Sequence, residues 1–150
     1  MDRLAFEALR DLPGKTIRGD IRFVRRQATA PLLIAEDIRI ENEHSVDARL
    51  TISFNPEVGS KTFNVHVVGL GPICRLDVDG TPHRPHGRTH KHSLMTERCP
   101  DQNLRRGVDD RADLAGLPLA TLFQKFCRMA TIAHEGRFEV PEEAREGNET

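Results

Sequence analysis

The chain has 150 residues, 37% of them apolar and 30% charged, with a formal net charge of −1. That length suits one domain with a single core, and near-neutrality excludes a long-range field that would draw the whole molecule onto nucleic acid or an anionic membrane, so any such contact has to be local. No apolar run approaches the ~20 residues that cross a bilayer, and Met1-Asp2-Arg3-Leu4 does not open like a signal peptide, so a cytoplasmic protein without membrane contact is expected.

Asp2 can cap a first helix whose apolar residues Leu4, Ala5, Ala8, Leu9 and Leu12 recur at helical spacing, and Pro13-Gly14 ends it. The period then changes to two. Ile17, Ile21 and Phe23 share one parity, as do Leu32, Ile34, Ile38 and Ile40, and then Ala48, Leu50, Ile52 and Phe54, which predicts three half-buried strands. Ala28-Thr29-Ala30-Pro31 and Asn42-Glu43-His44-Ser45 are connections of the length that joins antiparallel neighbours.

After the turn Asn55-Pro56-Glu57-Val58-Gly59, a fourth strand alternates Phe63, Val65 and Val67 with Thr62, Asn64 and His66. A fifth alternates Cys74, Leu76 and Val78 with Arg75, Asp77 and Asp79. Asp79-Gly80 signals a hairpin, and residues 89–95 return as a sixth, shorter strand behind Pro82 and Pro85. Residues 96–116 carry no apolar period and read as a long surface loop.

A second helix follows Pro118, with Leu119, Leu122, Phe123, Phe126, Met129 and Ala130 in one stripe and Gly136 past its end. The expected fold is therefore α+β: a single domain over residues 1–140, built on an antiparallel meander of five to six strands flanked by an N-terminal and a C-terminal helix. The acidic tail, 141–150, reads as disordered. Cys74, Cys99 and Cys127 are an odd number without a C-x-x-C pair, which argues against a disulfide framework; Cys74 and Cys127, in apolar stretches, are expected in the core.

Four of the seven histidines fall between positions 83 and 92, in His83-Arg84-Pro85-His86-Gly87-Arg88-Thr89-His90-Lys91-His92. Imidazole changes charge near neutral pH, so such a group can ligate a metal, move a proton or, beside arginine and lysine, bind phosphate. On an extended strand His90 and His92 share a face about 7 Å apart, which allows zinc with a third ligand from His83, His86 or Cys99, although the spacing matches no standard zinc motif. General acid–base catalysis by His90 and His92, with Arg88 or Lys91 on the phosphate, would make a metal-independent, toxin-type ribonuclease. A solvated loop, or histidines buried as polar core residues, is the bland counterpart.

His83, Arg84, His86, Arg88, Lys91, Arg98, Arg105 and Arg106 form the candidate basic surface for RNA, DNA or a protein partner, with Arg25-Arg26 as an extension. No aromatic residue is interleaved with them, which favours phosphate contact over base stacking. An exposed sheet edge leaves a homo-oligomer open.

Arg75-Leu76-Asp77-Val78-Asp79-Gly80, Pro82-His83 and His90-Lys91-His92 resemble a family of small bacterial proteins of unknown function, in which a strand ending in Asp-x-x-Gly leads to Pro-His, a short loop and His-x-His. The resemblance covers the second half of the chain. It implies a place among toxin–antitoxin or phage-defence genes, but no reaction. Ser93-Leu94 stand where that pattern has an aromatic residue and a glycine, which confines the carry-over to Pro82, His83, His90 and His92. The leading expectation is a binding module of bacterial defence or counter-defence acting through the histidine hairpin. The alternatives are the ribonuclease and a small inhibitor of a host complex, of the anti-CRISPR kind, that works through acidic strand faces and tail.

Overall fold

The computed structural model describes residues 3–26, 31–79, 90–92, 108–110 and 112–144, with 90–92 and 108–110 described as backbone. Helix α1 (Arg3–Arg10) leads into β1 (Lys15–Arg18), β2 (Val24–Arg25), β3 (Leu33–Ile40), β4 (Ala48–Asn55), β5 (Ser60–Val67), β6 (Gly71–Val78), β7 (His90–His92) and β8 (Val108–Asp110). Helix α2 (Leu119–Ala130) and β9 (Ile132–Glu135) complete the fold, with short 3-10 turns at Ala112–Leu114 and Glu142–Ala144. It is an α+β fold in which β2 to β8 form one seven-stranded sheet in chain order, each strand antiparallel to the next.

Alternation gives that sheet two faces. Leu50, Ile52, Phe63, Val65, Leu76 and Val78 are fully shielded on one of them, where Phe63 stacks on Phe126 of α2 with ring centroids 5.3 Å apart. The stripe expected of α2 is the buried one: Leu119, Leu122, Phe123, Phe126 and Ala130 face inward, and Cys127 joins them. Cys74 and Cys127 are both buried and free. Burial alone pushes the Cys127 thiol up to about 12, because a thiolate there would lose its hydration.

The structure departs from the periodicity at three places. The stretch containing Ile17, Ile21 and Phe23 is not one strand: β1 pairs in parallel with β9, forming a separate two-stranded sheet, and only Val24 and Arg25 join the large one. Strand β9 was hidden in the sequence because Thr131 (φ 58) stops α2 five residues before Gly136, in a left-handed conformation costly for a β-branched residue. Gly136 has a different task. At φ 147 it lies so close to the β1 exit that an added Cβ would sit 2.3 Å from the Gly19 carbonyl oxygen.

The third departure is a bulge in β3. Leu33 and Ala35 stand opposite Phe54 and Ile52, but after the register shift Ile38 and Ile40 stand opposite Leu50 and Ala48, so the core-facing parity switches within the strand. Asp37, at φ 54, is the residue that absorbs the extra length. Residues 108–110, within the stretch expected to be loop, add β8 beyond β7.

At the start of β1 a lysine is used as a helix cap. Lys15 is 2% exposed, and its Nζ donates to the carbonyl oxygens of Leu9, at 2.9 Å, and Arg10, in the last turn of α1. Desolvation lowers this ammonium to about 8.

Candidate functional site

Opposite the core, the sheet carries a polar face set out in cross-strand rows. Thr51 of β4 is in register with Asn64 of β5, Asn64 with Arg75 of β6, and Arg75 with His92 of β7. The next row runs Ser53, Thr62, Asp77, His90 and Asp110. Directly opposed residues in an antiparallel pair have Cα atoms about 4.5–5.5 Å apart, so each row is a line of near neighbours.

Register therefore assigns the sequence candidates to faces. His90 and His92 share the polar face with Asp77 and Arg75, while Lys91 takes the alternate position, opposite Leu76 and Asp109, on the face that carries the core. His83, Arg84, His86, Arg88, Arg98, Cys99, Arg105 and Arg106 lie outside the described residues.

The half of the site on β5 and β6 is described in atomic detail. Asp77 is 8% exposed, and Arg75 Nε donates to its Oδ1 at 3.1 Å. Beside this pair, Asn64 Oδ1 is buried with no hydrogen-bond partner. A buried acceptor of that kind forfeits its hydration, which costs about 1–3 kcal/mol unless a ligand or water supplies a donor. Asn64, Arg75 and Asp77 were visible in the sequence only as outward positions of two strands, and nothing local linked them to the histidines.

One row further along, Arg39, Arg49 and His66 are in register with one another across β3, β4 and β5. Arg49 Nε donates to Asp47 Oδ1 at 2.8 Å and holds that carboxyl below its usual range, with Arg39 and His66 adding to the effect. His66 Nε2 lies 3.8 Å from Asp37 Oδ1, and the Asp37 N–H donates to Thr51 Oγ1 at 3.3 Å, so the strained bulge residue is tied into the polar face. His44 is an exposed residue of the β3–β4 turn, where Asn42 Oδ1 accepts from the His44 and Val46 N–H groups.

Elsewhere several arginines form ion pairs within the fold. Arg25 pairs with Glu143 and Arg26 with Glu36 at 3.5 and 3.1 Å, so the hairpin extension of the basic surface is largely neutralised. Arg18 bridges Glu41 and Glu135, and Arg22 pairs with Glu139. Among the described helices none is long and apolar enough to cross a membrane.

These features define an α+β protein with a seven-stranded antiparallel sheet, one face packed on helices and the other carrying rows of imidazole, guanidinium, amide and carboxylate residues. Comparison with protein families, with curated proteins and with solved structures finds no match to this chain.

Proposed function

We propose that the protein is a binding module that grips a nucleic-acid strand by its phosphates, using the polar face of the sheet where β7, the His90–His92 strand, pairs with β6 at Arg75. The observation that supports this is the register Asn64, Arg75, His92: a guanidinium and a His-x-His strand stand side by side, next to a buried amide oxygen still lacking a donor. Guanidinium supplies planar, fixed donors for phosphate, and the orphan acceptor suits a sugar hydroxyl or base N–H. Arg84, Arg88, Arg98, Arg105 and Arg106 flank β7 in sequence and add local positive charge to an otherwise neutral chain. Bacterial defence or counter-defence, which the resemblance implies, is a setting in which such a module would act.

Fluorescence anisotropy with labelled single-stranded RNA, titrated at several salt concentrations, tests this. Affinity is expected to fall log-linearly with salt, and Arg75→Ala to weaken binding about tenfold and flatten the slope by about one. Salt-independent binding, or an Arg75→Ala variant indistinguishable from the parent, would overturn it.

A second reading draws on the row Asp77, His90, Asp110. A carboxylate directly opposite a histidine can orient and charge it for general acid–base work, as ribonuclease chemistry at His90 and His92 would need. Incubation with RNA decides: cleavage that His90→Ala and His92→Ala each abolish supports it, and intact RNA, or equal cleavage by parent and variants, removes it.

A further inference from the structure

We propose that the crevice between residues 22–23 and 137–141 binds a small molecule that carries a planar aromatic ring and a single carboxylate. Strands β1 and β9 run parallel, and their continuations stay paired as far as Ile21 and Phe138: the Ile21 N–H donates to the Arg137 carbonyl oxygen at 2.8 Å, and the Glu139 N–H to that of Ile21 at 2.9 Å. Beyond that point the two segments part. One enters the seven-stranded sheet as β2, and the other turns into the 3-10 helix at Glu142–Ala144. A crevice past the C-terminal ends of neighbouring parallel strands, where their paths diverge, is a recurrent ligand position in parallel sheets. This one encloses about 650 Å3, within the ~300–1,000 Å3 of small-molecule sites.

The lining joins aromatic rings to guanidinium groups. Phe23 and Phe138 line the crevice and are only half-buried, although the chain has seven phenylalanines and no Trp or Tyr with which to fill its core. Their rings meet edge to face at 5.7 Å, and Phe138 stacks on Phe123 of α2 at 4.4 Å, so this aromatic wall is braced from the core. An aromatic ligand would cover apolar surface that the fold leaves open and gain ring-to-ring contact there. Arg22 is held by Glu139 at 2.8 Å, whereas Arg137, exposed on the other segment, has no acidic partner among the described residues. The Arg137 main chain is fixed on both sides, its N–H donating to Asp20 Oδ1 at 2.8 Å and its carbonyl oxygen accepting from Ile21, so strand pairing sets where the free side chain starts. With Glu139 offsetting Arg22, the lining carries one uncompensated positive charge, which matches a monoanion, and a carboxylate suits the two-pronged guanidinium fork.

The crevice shares no residue with the rows of the polar face, and its assignment does not rest on nucleic-acid binding. The full chain is titrated by calorimetry with indole-3-acetate, with indole and acetate as its two halves, and with adenosine 5′-monophosphate as an aromatic ligand of higher charge. The parent is set beside Arg137→Gln, Phe23→Leu and the polar-face control Arg39→Gln. One indole-3-acetate per chain is expected. Indole alone should bind the parent about tenfold more weakly, and Arg137→Gln should weaken indole-3-acetate by about the same factor, because each removes the charge-assisted bonds. Acetate alone and Phe23→Leu should also bind more weakly, for want of the ring contact, and Arg39→Gln should bind like the parent. Arg137 is exposed and its main-chain bonds survive substitution, so Arg137→Gln keeps the test open should Phe23→Leu perturb the wall. No saturable binding of indole-3-acetate, parent-like binding by Arg137→Gln, indole held as tightly as indole-3-acetate, or tighter binding of adenosine 5′-monophosphate would each overturn the assignment.

Discussion

Lys15 offers a sharp physical test of how the N-terminal helix is held. Its ammonium is 2% exposed and bonded to the Leu9 and Arg10 carbonyl oxygens, yet desolvation lowers it from 10.5 to about 8. The unfolded chain keeps that proton up to about 10.5, whereas the folded chain releases it near 8. Between those values the unfolded state binds more protons, so stability rises with pH. Integrated from pH 7 to about 9.5, the gain is about 2 kcal/mol, at ~1.4 kcal/mol per pH unit well inside the window.

Cys127 acts in the opposite sense. Its thiol is held protonated to about 12 in the fold against 9.0 when unfolded, so above pH 9 the folded state binds more protons and stability falls, by about 1 kcal/mol at pH 9.5. Urea unfolding followed by circular dichroism between pH 7 and 9.5 should therefore show a shallow rise for the parent and a steeper one for Cys127→Ala. Lys15→Met in the Cys127→Ala background should be flat. Its absolute stability at pH 7 combines relief of ammonium desolvation with loss of the helix cap, so the slope carries the diagnosis. An unchanged slope in Lys15→Met, or no rise in Cys127→Ala, would refute the assignment of this titration to Lys15.

Three further outcomes follow from packing and chemistry. Phe126→Ala removes a fully buried ring that stacks on Phe63, and should cost about 3–5 kcal/mol in denaturant unfolding. Gly136→Ala places a Cβ 2.3 Å from the Gly19 carbonyl oxygen, which must pry β9 from β1; a loss above about 2 kcal/mol is expected, and a fall in melting temperature of less than about 4 °C would contradict it. Cys127, shielded and with its thiol pushed up to about 12, should react with a thiol reagent at pH 8 only as fast as the protein unfolds, so its labelling rate should rise in parallel with added urea.

Much of the architecture was legible in the chain. Alternating Leu50, Ile52, Phe63, Val65, Leu76 and Val78 marked strands with one buried face because a strand turns each successive residue to the opposite side. The stripe through Leu119, Leu122 and Phe126 marked α2 for the corresponding helical reason. What periodicity could not carry was anything that depends on which strand lies beside which. The switch of parity at Asp37, the parallel pairing of β1 with β9 and the addition of β8 from a stretch without apolar alternation all come from long-range partners.

The candidate site divides in the same way. His90 and His92 stood out by composition and by their i, i+2 spacing, which is a local property of the chain. Their neighbours Arg75 and Asp77 on β6, and Asp110 on β8, are set by hydrogen-bond register between residues 13 to 20 positions apart in the sequence. A slip of one residue would have sent both histidines to the core side and put Lys91 in their place, because side chains alternate with a period of two. Residue type was thus a property of the sequence, and the company each residue keeps was decided only when the strands paired.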